Sequence, residues 1–220
     1  MKLVDLSQPF DPALFPRKPG AAAVTVEVRP RRTIERDGVN TCEIAFDGHV
    51  GTHIDAPRHL DPAGRTIDEL PLDAFYGPAA VLDLPRGPNG AITAADLASA
   101  TPRVLPGDVV LVRTGWADRL TEPAYASHHP YLSDDAAAWL LERRARLVGM
   151  DVQSVDLPHS LRGEGFRYTS LRTLLEGGIP VALNLRRLEA VAGRRVTVLA
   201  LPIPFAGAEG APARVVALLD

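Results

Sequence analysis

Seven short runs rich in β-branched residues, separated by segments bearing proline or glycine, constrain the fold of this chain more than any other feature. They are Val24 to Val28, Ala79 to Leu84, Val109 to Arg113, Leu147 to Met150, Val181 to Leu185, Val196 to Leu201 and Val215 to Leu219. Side chains branched at Cβ are stiff and suit a pleated, half-buried surface, so these runs predict strands. The clearest helical pattern spans Asp134 to Arg146. Ser133 stands at its N-cap, Asp134 and Asp135 complement the positive end of the dipole, and Arg143, Arg144 and Arg146 complement the negative end. A second helix is predicted from Ser170 to Glu176, with Thr169 as cap and Gly177-Gly178 as stop, and a third from Thr93 to Ala98. Strands outnumber helices, so the expected class is α/β: a mixed, β-rich sheet with flanking helices. The loops Phe15 to Gly20, Pro85 to Gly90 and Ala206 to Pro212 read as turns rather than boundaries, and residues 1–220 are expected to form a single domain.

Charge argues against several partners. The net charge is −3, and the basic clusters Arg29-Pro30-Arg31-Arg32, Arg143-Arg144-Ala145-Arg146 and Arg194-Arg195 are short and flanked by acids or apolar residues. They read as solvated faces, not as a nucleic-acid footprint. No apolar run approaches the ~20 residues of a membrane span. Asp5 falls where the apolar part of a signal peptide would lie. Cys42 is the single cysteine, so no disulfide forms within the chain. It alternates with Ile44 and Phe46 and is expected in the core, with no activating base beside it. The expectation is a cytoplasmic protein that acts on a small molecule, with no nucleic-acid or membrane partner.

The chemistry concentrates in His49-Val50-Gly51-Thr52-His53-Ile54-Asp55-Ala56-Pro57-Arg58-His59. His49, His53, Asp55 and His59 are all odd-numbered, so an extended backbone would put them on one face. A helix would scatter Asp55 and His59, and Gly51 and Pro57 disfavour one. A straight strand also fails. It would set His49 about 13 Å from His53, whereas two nitrogens on one tetrahedral metal are only ~3.4 Å apart. The backbone must therefore curl between them, and Gly51 stands where a curl costs least. Two imidazoles and a carboxylate suit Zn²⁺, Mn²⁺ or Fe²⁺, and three protein ligands leave a position open for chemistry. The ligands expected on this reasoning are His49, His53 and Asp55. His59, beyond Pro57, is a second-site ligand or a general base. Taken singly, each histidine has an ordinary reading as a hydrogen-bonded structural residue, and Asp55 as a turn cap. Four on one face with glycine at the bend make a pattern those readings do not explain.

The spacing His-x-Gly-Thr-His-x-Asp-x-Pro-x-His resembles the signature of the cyclase family, which includes bacterial kynurenine formamidase and isatin hydrolase. Further blocks resemble that family in order: Asp5 to Pro9, Pro106 to Trp116, Leu147 to Asp156 and Leu201 to Arg214. The resemblance implies a swivelling β/β/α fold, assembly as a homodimer or homotetramer, and a divalent metal on His49, His53 and Asp55. In the kynurenine formamidases it implies that Asp55 would bridge two zinc ions and His59 would act near the second. A helix His and, twelve positions later, the Glu of a Glu-Asn-Leu strand would complete that second site. Here the sequence departs: Leu183 precedes Asn184-Leu185, and twelve positions earlier stands Leu171. Neither binds a metal. His159, Glu164 and Gln153 are the residues that would have to rebuild a second site, although His159 and Glu164 read first as surface loop residues. His128 and His129, adjacent, would point to opposite faces and read as loop residues at the pocket rim. Trp116 is a candidate substrate-binding residue, with burial at a strand end as its alternative.

Together with this departure, the resemblance implies a hydrolase of amide, lactam or lactone bonds with one divalent ion, Zn or Mn, in which His59 or Asp55 moves protons. A metal-assisted cyclase or dehydratase is the alternative, and a metal- or ligand-binding protein without catalysis is the third reading.

Overall fold

The computed structural model describes residues 2–14 and 26–219. Twelve strands lie within them: β1 (Lys2–Asp5), β2 (Val26–Arg32), β3 (Thr41–Phe46), β4 (His53–Asp55), β5 (Tyr76–Asp83), β6 (Ala91–Ile92), β7 (Val109–Arg113), β8 (Tyr131–Leu132), β9 (Leu147–Met150), β10 (Val181–Leu183), β11 (Arg195–Pro202) and β12 (Gly210–Leu219). The α-helices are α1 (Ile34–Asp37), α2 (Ala94–Ser99), α3 (Asp134–Glu142) and α4 (Thr169–Glu176).

The main sheet runs β1-β12-β11-β5-β7-β9-β10-β4, and β12 also pairs with β4. That extra pairing closes the sheet into a barrel-like ring with β1 added along the far half of β12. The centre, β5-β7-β9-β10, is parallel and its flanks are antiparallel, giving the expected mixed, β-rich α/β class. Parallel strands are buried on both faces, and here the faces feed two apolar clusters. On β7, Val110 and Val112 join the cluster under α2, α3 and α4, while Val109 and Leu111 join the opposite one. The same alternation runs along β4 and β10. Ile54 and Ala182 face one cluster, while Val181 and Leu183 face the other, against which α4 packs. The side chains of His53 and Asp55 therefore share the helix-covered face.

Most predicted strands lie in the core ring. Of the run Val24 to Val28, Val24 and Thr25 fall outside the described residues, and β2 spans Val26–Arg32. The strands β1, β3, β4, β6 and β8 are not among the seven predicted runs. Cys42 is corrected: it is exposed, and Ile44 on the same strand is 53% exposed. Among the described residues, β2 and β3 pair only with each other, and no strand of the main sheet pairs with them to cover Cys42 and Ile44.

Helix ends follow local backbone rules. α3 stops at Glu142, short of the expected Arg146. Arg144 takes a left-handed φ of 53°, and its N–H and that of Ala145 return to the carbonyls of Leu141 and Leu140. This closing motif satisfies the last carbonyls and turns the chain into β9. Ser133 is the N-cap by position, but its hydroxyl donates to the Ile92 carbonyl instead of receiving a helix N–H. At α4 the expected cap, Thr169, is already helical. The actual cap is remote: the buried Asp156 carboxylate accepts from the N–H groups of Ser170 and Leu171, both at 3.0 Å. Thr93 caps α2 in a reciprocal pair with Asp96. Among the described residues, no helix is long and apolar enough to cross a membrane.

Candidate metal centre

The histidine-rich run is built from three local structures. His49 lies in the turn after β3, His53 and Asp55 are on β4, and His59 ends a 3₁₀ turn from Pro57 to His59. The single extended face that would carry all four residues is therefore limited to His53 and Asp55. The curl expected at Gly51 is present, with φ at 57°. It brings the His49 and His53 rings to 5.1 Å, edge to face, in place of the separation an extended chain would give.

Several buried groups hold the curl. The Gly51 carbonyl accepts from His53 Nδ1 at 2.8 Å and from the Asn184 side-chain amide at 2.9 Å. Asn184 is itself fixed by the Tyr125 hydroxyl, which donates to its Oδ1 at 2.8 Å. The Thr52 hydroxyl donates to the Asn184 carbonyl and accepts the Gln8 N–H, both at 2.7 Å. On the far side, β12 lies against β4, with Gly210 opposite Asp55. A Cβ on Gly210 would stand 2.8 Å from the Ile54 carbonyl oxygen and 3.1 Å from His49 Cε1, so glycine makes room for the imidazole.

These supports converge the donors. Asp55 Oδ1 lies 2.8 Å from His49 Nδ1 and 3.4 Å from His53 Nε2. Donor atoms of His49, Asp55 and His59 lie within 4.8 Å of one another, and the His49 and His59 rings are 4.3 Å apart. His53 Nδ1 gives its proton to the Gly51 carbonyl, which fixes the ring with Nε2 turned toward Asp55. Asp55 is 1% exposed. Burial works to raise its pKa, but the hydrogen bonds and charges of His49 and His53 outweigh this and hold the carboxyl well below the usual range. Burial works to lower the His49 pKa, yet Asp55, Glu209 and Asp47 together push it up to about 9. His59 moves the other way. Burial lowers its pKa and the His49 and His53 charges add to that, against Asp55 and Glu209.

The donor set fits a divalent ion. It offers an ionised carboxylate and imidazole nitrogens within ligand reach of each other. It also leaves one buried polar atom, His49 Nε2, without a hydrogen bond among the described residues. Glu209 Oε1 stands 3.3 Å from that nitrogen, out of line for a hydrogen bond. Sequence reasoning missed Glu209 as an individual residue. The block Leu201 to Arg214 was noted, but an acid in a loop carries no pattern until β12 folds against β4. Tyr125 was missed for the same reason, since its partner Asn184 is distant in sequence.

Leu183 pairs across from His53 and is 3% exposed, and Leu171 is likewise buried in the cluster beneath α4. His159 opens an exposed 3₁₀ turn and Glu164 lies in an exposed loop, and neither joins the converging donors among the described residues. His129 corrects the rim assignment: it is 1% exposed, its Nδ1 donates to the Pro130 carbonyl, and burial pushes its pKa down to about 4. Trp116 also departs from its substrate-binding assignment. It is 1% exposed, its indole N–H donates to the Tyr125 carbonyl at 2.9 Å, and its ring closes the end of β7 inside the core.

The cyclase family model matches residues 4–157. Kynurenine formamidase of Geobacillus thermodenitrificans (strain NG80-2) is 31% identical over 223 residues, covering 96% of this chain and 94% of that protein. Isatin hydrolase A from Labrenzia aggregata, solved with benzyl benzoate, superposes with a TM-score of 0.85 at 26% identity, covering 98% of this chain and 93% of that one. A protein from Bacillus stearothermophilus described as a predicted metal-dependent hydrolase superposes with a TM-score of 0.76 at 28% identity, covering 98% and 97%. A model match over most of the chain, together with a relative of this identity along nearly its full length, shows that the chain belongs to the cyclase family.

Proposed function

We propose that this protein is a divalent-metal-dependent hydrolase of amide, lactam or lactone bonds, with one ion, Zn or Mn, at His49, His53 and Asp55. The observation that carries the proposal is the convergence of imidazoles on the buried, ionised Asp55, held by a curl that Asn184, just past β10, braces through the Gly51 carbonyl and the Thr52 hydroxyl. Kynurenine formamidase and isatin hydrolase relatives support the C–N bond class, and the neighbour described as metal-dependent supports the cofactor.

When bound, the ion would supply Lewis acidity, polarising a carbonyl and acidifying water. The remaining work belongs to the protein. Asp55, kept ionised by its neighbours, supplies the negative charge that offsets a dication. His53 is oriented by the Gly51 carbonyl, so one tautomer presents Nε2. His59, half-buried with its pKa lowered, is neutral near pH 7 and has a lone pair to accept a proton from water and return it to the leaving group. Leu183 beside His53 sets an apolar wall where the formamidases are expected to carry a carboxylate, so we propose a substrate with an apolar part near the reacting bond and slow turnover of N-formylkynurenine.

The proximity of His59 to His49 and Asp55 favours a second assignment in which His59 is itself a ligand. Metal analysis of His53→Ala and His59→Ala separates the two. The proposal expects loss in the first and retention in the second, together with lost turnover across a panel of formamides, lactams and lactones. Wild-type metal content in His53→Ala would remove it from the ligand set. We also propose a single domain and a homodimer or homotetramer. The apolar side chains exposed on the β2-β3 ribbon, Val28 and Ile44, support self-association.

A further inference from the structure

Resting on the reading that His49 is a metal ligand, we infer that Glu209 is a positioning residue that fixes which nitrogen His49 offers. His49 lies between two carboxylates. Its Nδ1 faces Asp55 Oδ1 at 2.8 Å, and that oxygen is also 3.4 Å from His53 Nε2. Nδ1 is therefore the nitrogen on the side where the other donors gather. A neutral imidazole that gives one lone pair to a metal keeps its proton on the other nitrogen, here Nε2. That nitrogen is buried, and Glu209 Oε1, 3.3 Å away, is the acceptor at hand.

Glu209 is suited to this task by its backbone. Its carbonyl accepts the Ala56 N–H at 2.8 Å, and the next residue, Gly210, pairs with Asp55. The carboxylate is thus carried by the chain that holds β4 in place, while its half-exposed side chain is free to turn into line with Nε2–H. A carboxylate that accepts the second imidazole proton fixes the tautomer and ring orientation and makes the other nitrogen a stronger donor. Sequence position alone does not reveal this role, because Glu209 lies far along the chain from His49.

The test uses the full-length protein with Zn²⁺ and Mn²⁺ as probes, affinity being read by chelator competition. Glu209→Ala is expected to weaken metal binding on the order of 10- to 100-fold, and Glu209→Gln by less, since its amide oxygen still accepts. The melting temperature of both metal-free variants should stay near that of the wild type. Nitrogen-15 NMR of labelled histidine in the zinc-loaded wild type should show His49 protonated at Nε2, with the signal broadened or shifted in Glu209→Ala. Wild-type affinity in Glu209→Ala would overturn the inference and leave the metal site standing. So would His49 metallated at Nε2, which would make Glu209 a ligand instead. A wild type that binds neither ion overturns both.

Discussion

Replacing Gly51 tests the geometry on which the site depends. Its φ of 57° lies in the left-handed region, where an L-residue is disfavoured by about 1–2 kcal/mol. Gly51→Ala has two responses. If the backbone stays, the protein bears that strain. If it rotates away, the Gly51 carbonyl leaves His53 Nδ1 and Asn184 Nδ2, now at 2.8 and 2.9 Å. Two such hydrogen bonds are each worth roughly 0.5–1.5 kcal/mol, so the second response costs about 1–3 kcal/mol. Either way the loss falls near 1–3 kcal/mol, which lowers the melting temperature by about 2–12 °C in a chain of this size. The responses differ at the metal. Strain alone leaves His53 aimed, whereas rotation frees its Nδ1 and with it the tautomer. Gly51→Val, branched at Cβ, forces the rotation and should lose metal while remaining folded. Thermal unfolding of the metal-free proteins by circular dichroism, followed by elemental metal analysis, reads both effects. Unchanged melting and full metal in the valine variant would refute the reasoning.

The pKa of His49, held at about 9, means that the metal-free protein carries a proton there at neutral pH which a ligand must shed. Apparent metal affinity should rise about tenfold per pH unit up to about 9 and then level, as seen by chelator competition; a flat profile contradicts this. In the metal-free protein the raised His49 pKa adds stability that is complete below its ordinary value of 6.5 and lost as pH rises through about 9. The lowered Asp55 pKa adds stability present above 3.8 and lost as pH falls further. Asp156→Ala removes the remote cap of α4 and should cost about 0.5–2 kcal/mol in denaturant unfolding; no change would show that water caps the helix equally well. Leu171→His with Leu183→Glu should raise the metal content from one ion to two. It should also destabilise the metal-free form, because two polar side chains would replace apolar ones buried in the cluster beneath α4. A double variant that still holds one ion would show that the two leucines do not stand at a vacated second site.

The parts of this molecule legible in the sequence are those set by local pattern. The runs at Val109–Arg113 and Leu147–Met150 match their strands residue for residue, because both faces of a parallel strand are buried and the apolar run marks its full length. The bend at Gly51 was legible because reach alone demands it. The start of α4 was not, since its cap, Asp156, comes from a distant loop. Cys42 on β3 misled because alternation signals a strand but not whether another layer covers it. Trp116 misled in the opposite sense: an aromatic at a strand end reads as a pocket wall until Tyr125 is seen to take its N–H. At the candidate site, the four residues stand in one continuous segment, but the extended face expected from their spacing holds only for His53 and Asp55. Glu209, Asn184 and Tyr125 needed the closure of β12 and β10 around β4 to be seen as part of it.

The measurement that bears most directly on the account is the number of ions per chain in the wild-type protein at saturating Zn²⁺ or Mn²⁺, by native mass spectrometry with elemental analysis. The account predicts one ion per chain, lost in Asp55→Asn. No bound ion, or two ions retained after dialysis, would contradict it.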